Sequence, residues 1–148
     1  MPLATAGYSE KSLSDKLGYR AGRRAAFITL PPELAELPSL VDFESVVQKP
    51  RWNVVLAARN FDLIHAFTTS NADLESHLHT LQDALKPDGM IWISWPKKAA
   101  KVPTDVTEDR VREAALKLDL VDVKVAAIDA VWSGLKLVIR KERRQKDA

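Results

Sequence analysis

Three short runs of apolar residues, each closed off by proline or by hydroxyl-bearing residues, constrain this chain more than any other feature. Ala25 to Leu30 ends at Pro31-Pro32, Phe61 to Phe67 ends at Thr68-Thr69-Ser70, and Met90 to Trp95 ends at Pro96. Runs that are continuously apolar, rather than alternating, belong to strands covered on both faces. Covering both faces takes helices, and the intervening segments have helical patterning. Ser70 with Asp73 predicts a capped helix start, and Leu74, Leu78, Leu81 and Leu85 then form one stripe. Thr107, followed by Glu108 and Asp109, predicts a second helix start, with Val106 and Val111 at the positions of a hydrophobic staple.

Other elements are read from the same signals. Ser9 to Leu17 reads as a short helix ended by Gly18, and Arg20 to Arg23 as a turn. Pro31-Pro32 opens a helical turn through Leu37, and Ser39 with Asp42 predicts a helix through Val47. Trp52 to Ala57 has strand character, yet its link to Phe61 is too short for a parallel crossover, so it is either an antiparallel strand or no strand. Pro87-Asp88-Gly89 reads as a turn into the Met90 strand. Leu120 to Ala127 and Trp132 to Arg140 pair as a hairpin through Asp129-Ala130. Strands alternating with helices and ending in a hairpin make an α/β fold, a three-layer, mostly parallel Rossmann-like sheet with an antiparallel end.

At 148 residues the chain forms one domain, 1–148, with 1–7 and 141–148 read as flexible. Cysteine is absent, which excludes disulfides, thiolate catalysis and cysteine-ligated zinc. No apolar run reaches the roughly 18 residues of a membrane helix, and no signal-peptide core is present, so a cytoplasmic location is expected. The 22 basic residues nearly balance 20 acidic ones, too even a ratio to imply nucleic acid.

From Leu85, the stretch LKPDGMIWISWPKKAAKVPTDVTEDRVREAALKLDLVDVKVAAIDAVWSGLKLVIRK resembles an uncharacterised bacterial family, a domain of unknown function. AGYS…LSDKLG (Ala6 to Gly18) and FDLIHAF (Phe61 to Phe67) fit the same pattern, and the likeness is looser between Pro31 and Arg59. That family usually has glycine where Asp119 stands. More distantly, FDLIHAF, a helix and LKPDGMIWIS are similar to the second half of class I AdoMet-dependent methyltransferases, which also end in an antiparallel hairpin. The resemblance implies a methyltransferase-like sheet. Those enzymes place a glycine-rich turn after their first strand and an acidic residue at the end of the next. Here the first strand runs into Leu30-Pro31-Pro32-Glu33, and proline has neither glycine's freedom nor an N–H. The usual cofactor site is therefore expected to be lost.

Ligands of open α/β sheets bind beyond the carboxyl ends of the parallel strands. That places Thr68, Thr69, Ser70, Ser94, Trp95, Lys97, Lys98, Asp129, Trp132 and Ser133 at one edge as candidate ligand-binding residues. Lys97 and Lys98 could meet an anion while Trp95 provides a flat wall, although solvated lysines over a packed tryptophan are the commoner arrangement. Trp132, Ser133 and Gly134 could line the same cleft, or cover the core. Ser70 could present helix N–H groups to an anion, or act as an ordinary cap. Asp105, Glu108 and Asp109 fit a helix start better than a metal site. His77 and His79, two apart, cannot chelate one ion, and His65 fits a satisfied core histidine better than a base. Five basic residues between Arg140 and Lys146 could touch phosphate, but no aromatic is interleaved with them.

The expectation is an α/β module that lacks methyltransferase activity, has no cofactor or metal, and binds a small anionic ligand or a protein at its strand-end cleft. One alternative is an unorthodox methyltransferase using S-adenosylmethionine, with Asp129, Thr68 or Lys97 near the chemistry. Another is a nucleic-acid accessory protein acting through the tail.

Overall fold

The computed structural model describes residues 12–144. Its six strands form one sheet in the order β2-β1-β3-β4-β6-β5. They are β1 (Arg24–Ile28), β2 (Ser45–Lys49), β3 (Phe61–Phe67), β4 (Leu85–Pro96), β5 (Leu120–Ala127) and β6 (Trp132–Ile139). β1 pairs in parallel with β2 and β3, and β3 with β4. β6 runs antiparallel between β4 and β5, as its short connection requires. The helices are α1 (Leu13–Leu17), α2 (Asn71–Ala84) and α3 (Glu108–Leu116).

Both faces of the sheet are covered, which is why its central strands are apolar throughout. On one face Leu74, Leu78 and Leu81 of α2 and Val111 and Ala115 of α3 join Ile64, Ile91, Ile93, Leu135 and Leu137 in one core. On the other, Leu17, Tyr19, Leu34 and Leu37 join Phe27, Leu63, Phe67 and Trp92. α1 is capped by Ser12 and ended by Gly18, whose φ of 72° is glycine's territory. Thr107 caps α3, and Val106 and Val111 are both buried in the same core as a staple requires.

Several expectations need correction. No helix spans Ser39–Val47. Single 3-10 turns at Pro32–Leu34 and Leu37–Ser39 give way to the edge strand β2, where β-branched Val46 and Val47 suit a strand better than a helix. Of the two alternatives for Trp52–Ala57, the structure shows the second, no strand. Residues 50–60 instead cross from β2 to β3 through bends at 50–53 and a turn at 58–59, with Trp52 buried and Val54 and Leu56 against the core, while Val55 is 91% exposed. Inward and outward residues alternate here without a ladder partner. Leu85 starts β4 rather than ending α2. Pro87-Asp88-Gly89 lies inside β4 as a bulge: Leu85 faces Phe61 and Met90 faces Leu63, so residues 86–89 oppose Asp62 alone. A Cβ on Gly89 would come within 2.8 Å of Leu85 Cδ1 and 3.0 Å of the Asp62 carbonyl. Among the described residues, the left-handed non-glycine ones are Thr29, Arg59 and Lys101, so Asp119 does not take that conformation.

Candidate functional site

The carboxyl ends of the strands do converge. The Thr68 N–H donates to the Ser94 carbonyl at 3.0 Å and the Lys97 N–H to the Val131 carbonyl at 2.7 Å. Pro96 lies opposite Trp132, and Ser133 opposite both Trp95 and Ala127. Thr68, Thr69, Ser70, Ser94, Trp95, Lys97, Lys98, Asp129, Trp132 and Ser133 therefore share one end of the sheet. What they face differs from the expectation.

Trp95 and Trp132 do not form one wall. They occupy neighbouring register positions, so they point to opposite faces. Trp95 belongs to the core under α2 and α3, Trp132 to the core under α1. The Trp132 Nε1–H donates to Glu33 Oε2 at 3.1 Å, a bond that holds the Glu33 carboxyl below its usual range. Asp129 is committed to its turn, its Oδ1 accepting the Val131 and Trp132 N–H groups at 2.8 and 2.7 Å. Lys98 and Thr69 are exposed, and Lys97, Ser70 and Ser133 are half-buried.

Ser70 holds the N-cap position of α2 without a side-chain cap. The cap comes from elsewhere. The Asn71 N–H donates to Asp105 Oδ1 at 2.7 Å, and the Thr68 hydroxyl donates to Asp73 Oδ2 at 2.7 Å while accepting the Ser70 N–H at 2.9 Å. Thr104 Oγ1 donates to the Thr69 carbonyl at 2.9 Å, tying the 97–107 loop across this end. The positive start of α2 is thus filled by the protein's own Asp73 and Asp105, and an anion there would have to displace them. Glu108 and Asp109 both pair with Arg112. Among the described residues, no cluster of potential metal ligands occurs.

Ser94 faces the core, at one end of a buried polar chain. His65 Nε2 lies 2.8 Å from Ser94 Oγ and His65 Nδ1 lies 2.7 Å from the Tyr19 hydroxyl. All three residues are buried, and the imidazole stacks on Phe67 with ring centroids 4.3 Å apart. Burial pushes the His65 pKa down to about 3 and the Tyr19 phenol well up. Every polar atom of the ring is satisfied and none meets solvent, so the chain orders the core.

Chain order reverses between β1 and β3: β1 leads outward to β2, and the chain then returns to β1's other side. Such a switch point is where open sheets leave a crevice. Here Trp52 caps it. Its indole is 3% exposed, its Nε1–H donates to the carbonyl of Phe67 at 2.8 Å, and it shares a core with Ile28 and Ala66 from the two flanking strands. After β1, Thr29 turns at φ 57° with its N–H on the Lys49 carbonyl, and Pro31 and Pro32 follow. β2 ends in Lys49 rather than a carboxylate. Outside the indole lies an open cleft of ≈ 360 Å³ lined by Thr29, Arg51, Asn53, Asp73 and His77. None of these is a candidate from the sequence, where Asp73 is read only as part of a helix start and His77 only as unable to chelate an ion with His79. Asp73 and His77, four apart on one helix, carried a usable signal. Thr29, Arg51 and Asn53 come together only through the fold.

At the chain's other end, Arg140 and Arg143 lie 4.0 and 3.5 Å from Asp119. The Arg144 Nε–H donates to the Ile139 carbonyl at 2.8 Å, so much of the basic tail that is described is tied to the domain. Lys146 lies outside the described residues, as do residues 1–7. No described helix is long and apolar enough to cross a membrane.

The architecture is that of methyltransferases. A SAM-dependent methyltransferase from Aquifex aeolicus superposes with a TM-score of 0.64 at 16% identity, over 84% of this chain and 86% of that one. A Mesorhizobium loti S-adenosylmethionine-dependent methyltransferase gives 0.56 at 12%, over 84% and 94%. A Haemonchus contortus phosphoethanolamine N-methyltransferase, in complex with phosphomonomethylethanolamine and S-adenosylhomocysteine, gives 0.63 at 10%, over 86% of this chain and 51% of its own. At such identities the likeness establishes fold alone. No curated protein matches the sequence. One family profile does, across residues 62–141, more than half of the chain: this protein belongs to the family described as "Protein of unknown function (DUF3052)".

Proposed function

We propose that this chain is a non-enzymatic module on a methyltransferase-like fold, one that does not hold AdoMet and binds a small anionic ligand or a protein partner at its carboxyl edge. The observation that carries this reading is Trp52, whose buried indole is bonded to Phe67 where the β1–β3 crevice would open. The Pro31-Pro32 bend and the Lys49 terminus of β2 point the same way. A pyrophosphate or carboxylate cradle needs free backbone N–H groups, and a ribose clamp needs a carboxylate. What remains open is the cleft outside Trp52, where Arg51, Asn53 and His77 offer donors to a carboxylate or phosphate and Asp73 is engaged by Thr68.

Isothermal titration of the intact chain with AdoMet tests this. No binding heat is expected. Saturable one-to-one binding would overturn the reading.

A second reading, an unorthodox methyltransferase, is favoured by one observation: the ≈ 360 Å³ cleft lies at the switch point, where ligands of open sheets bind. A radiolabelled-methyl transfer assay against small-molecule acceptors separates the two. Transfer that falls in a folded Lys97→Ala variant would support the enzyme and defeat the module.

A further inference from the structure

The face of the sheet beneath α1 has a second feature, independent of the carboxyl edge. Lys124 of β5 and Lys136 of β6 are directly opposed in register. Like charges in that position destabilise a sheet. Arg20 lies close enough that it and Lys124, after the larger effect of burial, hold the Lys136 ammonium below its ordinary range. Lys124 Nζ donates to the Lys16 carbonyl at 2.9 Å and Lys16 Nζ to the Ala127 carbonyl at 3.4 Å, which ties α1 to β5 and gathers a fourth cation. Among the described residues, none of Lys16, Arg20, Lys124 and Lys136 has a carboxylate within ion-pair distance, whereas Arg23, Lys86, Arg112 and Arg143 each do. In a chain with a formal charge of only +2, this is local segregation rather than a general excess.

β5 is also the last strand of the sheet, so its outer edge has no partner strand among the described residues. Val123 and Val125, flanking Lys124, are 52% and 49% exposed. We propose that this edge and its cation cluster form a docking surface for an acidic, extended segment of a partner protein, laid along β5 with its carboxylates over Lys124 and Lys136. Strand addition uses the free backbone groups of an edge, apolar side chains meet the two valines, and the acidic residues relieve the opposed lysines. A nucleic acid would use only the charge. The nearby aromatics, Trp92 and Trp132, are buried and cannot stack on bases.

The test is fluorescence anisotropy of the intact chain with a fluorescein-labelled peptide of alternating glutamate and valine, beside a single-stranded oligonucleotide of equal charge. The peptide is expected to bind more tightly than the oligonucleotide. Lys136→Glu should weaken it by about tenfold or more, and Lys117→Glu, at an exposed lysine ending the helix on the other face of the sheet, should leave it unchanged. Absence of saturable peptide binding, equal losses in the two variants, or tighter oligonucleotide binding would overturn the proposal. A second measurement needs no ligand: Lys136→Gln should raise the melting temperature at low salt, by an amount that shrinks as salt is added. A lowered melting temperature would show that the opposed lysines are no burden to the free chain, and would equally count against the proposal.

Discussion

Acidification from about pH 7.5 to about pH 5.0 should reveal whether His65 is as fully enclosed as the Tyr19–His65–Ser94 chain requires. Burial pushes the folded-state pKa of His65 down to about 3, against about 6.5 in an unfolded chain. The folded value is the lower one, so the fold selects the neutral imidazole. Its contribution is complete above about pH 6.5 and declines as the pH falls below that, because the unfolded chain gains a proton that the folded chain refuses. One proton of difference changes stability by about 1.4 kcal/mol per pH unit, and about 1.5 units of the interval lie below the unfolded value, so the loss is about 2 kcal/mol. For a domain near this size that is roughly 4–8 °C in melting temperature.

Two perturbed carboxylates leave the window clear. Desolvation pushes the Asp62 carboxyl up, but the Arg24 N–H and the Lys86 ammonium outweigh it and hold it below its ordinary range. Glu33 is held low chiefly by Trp132. Contributions of that kind are present above the ordinary carboxylate range and fade only as the pH falls through the depressed values. The assay is urea unfolding followed by tryptophan fluorescence, at constant ionic strength, for the natural chain and His65→Gln. The stability difference between them should shrink by about 2 kcal/mol on acidification. Parallel pH profiles would refute an enclosed, neutral His65.

Other substitutions follow from the same geometry. Tyr19→Phe leaves His65 Nδ1 buried without its partner and should cost about 1–3 kcal/mol in denaturant unfolding. Asp105→Ala removes the cap on the first N–H of α2 and should cost about 1 kcal/mol, with hydrogen exchange rising at Asn71 before the rest of the helix. Gly134→Ala would bring a Cβ to 3.1 Å from both Ser94 Oγ and Trp92 Cε3, two fully buried neighbours, and should cost about 1–3 kcal/mol by thermal unfolding. Trp52→Ala should cost about 3–5 kcal/mol, since the cavity lies in the main core.

Strands buried on both faces announced themselves. Phe61–Phe67 was legible to the residue because nothing polar except Asp62 and His65 interrupts it. The terminal hairpin was legible because Asp129-Ala130 leaves no room for a crossover. β2 was not, since it is a short edge strand that alternates half-buried with exposed residues beside a serine and aspartate resembling a cap. Facing relationships were less legible than membership of an edge. The gathering of Thr69, Lys97 and Trp132 at one end followed from strand direction. The divorce of Trp95 from Trp132 depends on a one-residue register that no local pattern reveals. Long-range polar partners were invisible for the same reason: Asp105 caps a helix that starts 34 residues earlier, and Ser94, His65 and Tyr19 meet only across the finished sheet.

The chain's four tryptophans give four indole N–H resonances in a nitrogen-15 correlation spectrum, and that of Trp52 reports directly on the crevice between β1 and β3. Titration with AdoMet should leave that resonance in place and slow to exchange with deuterium. A saturable shift of the Trp52 indole signal, with faster exchange, would mean that the ring moves aside for the nucleoside and that the crevice is a working cofactor site.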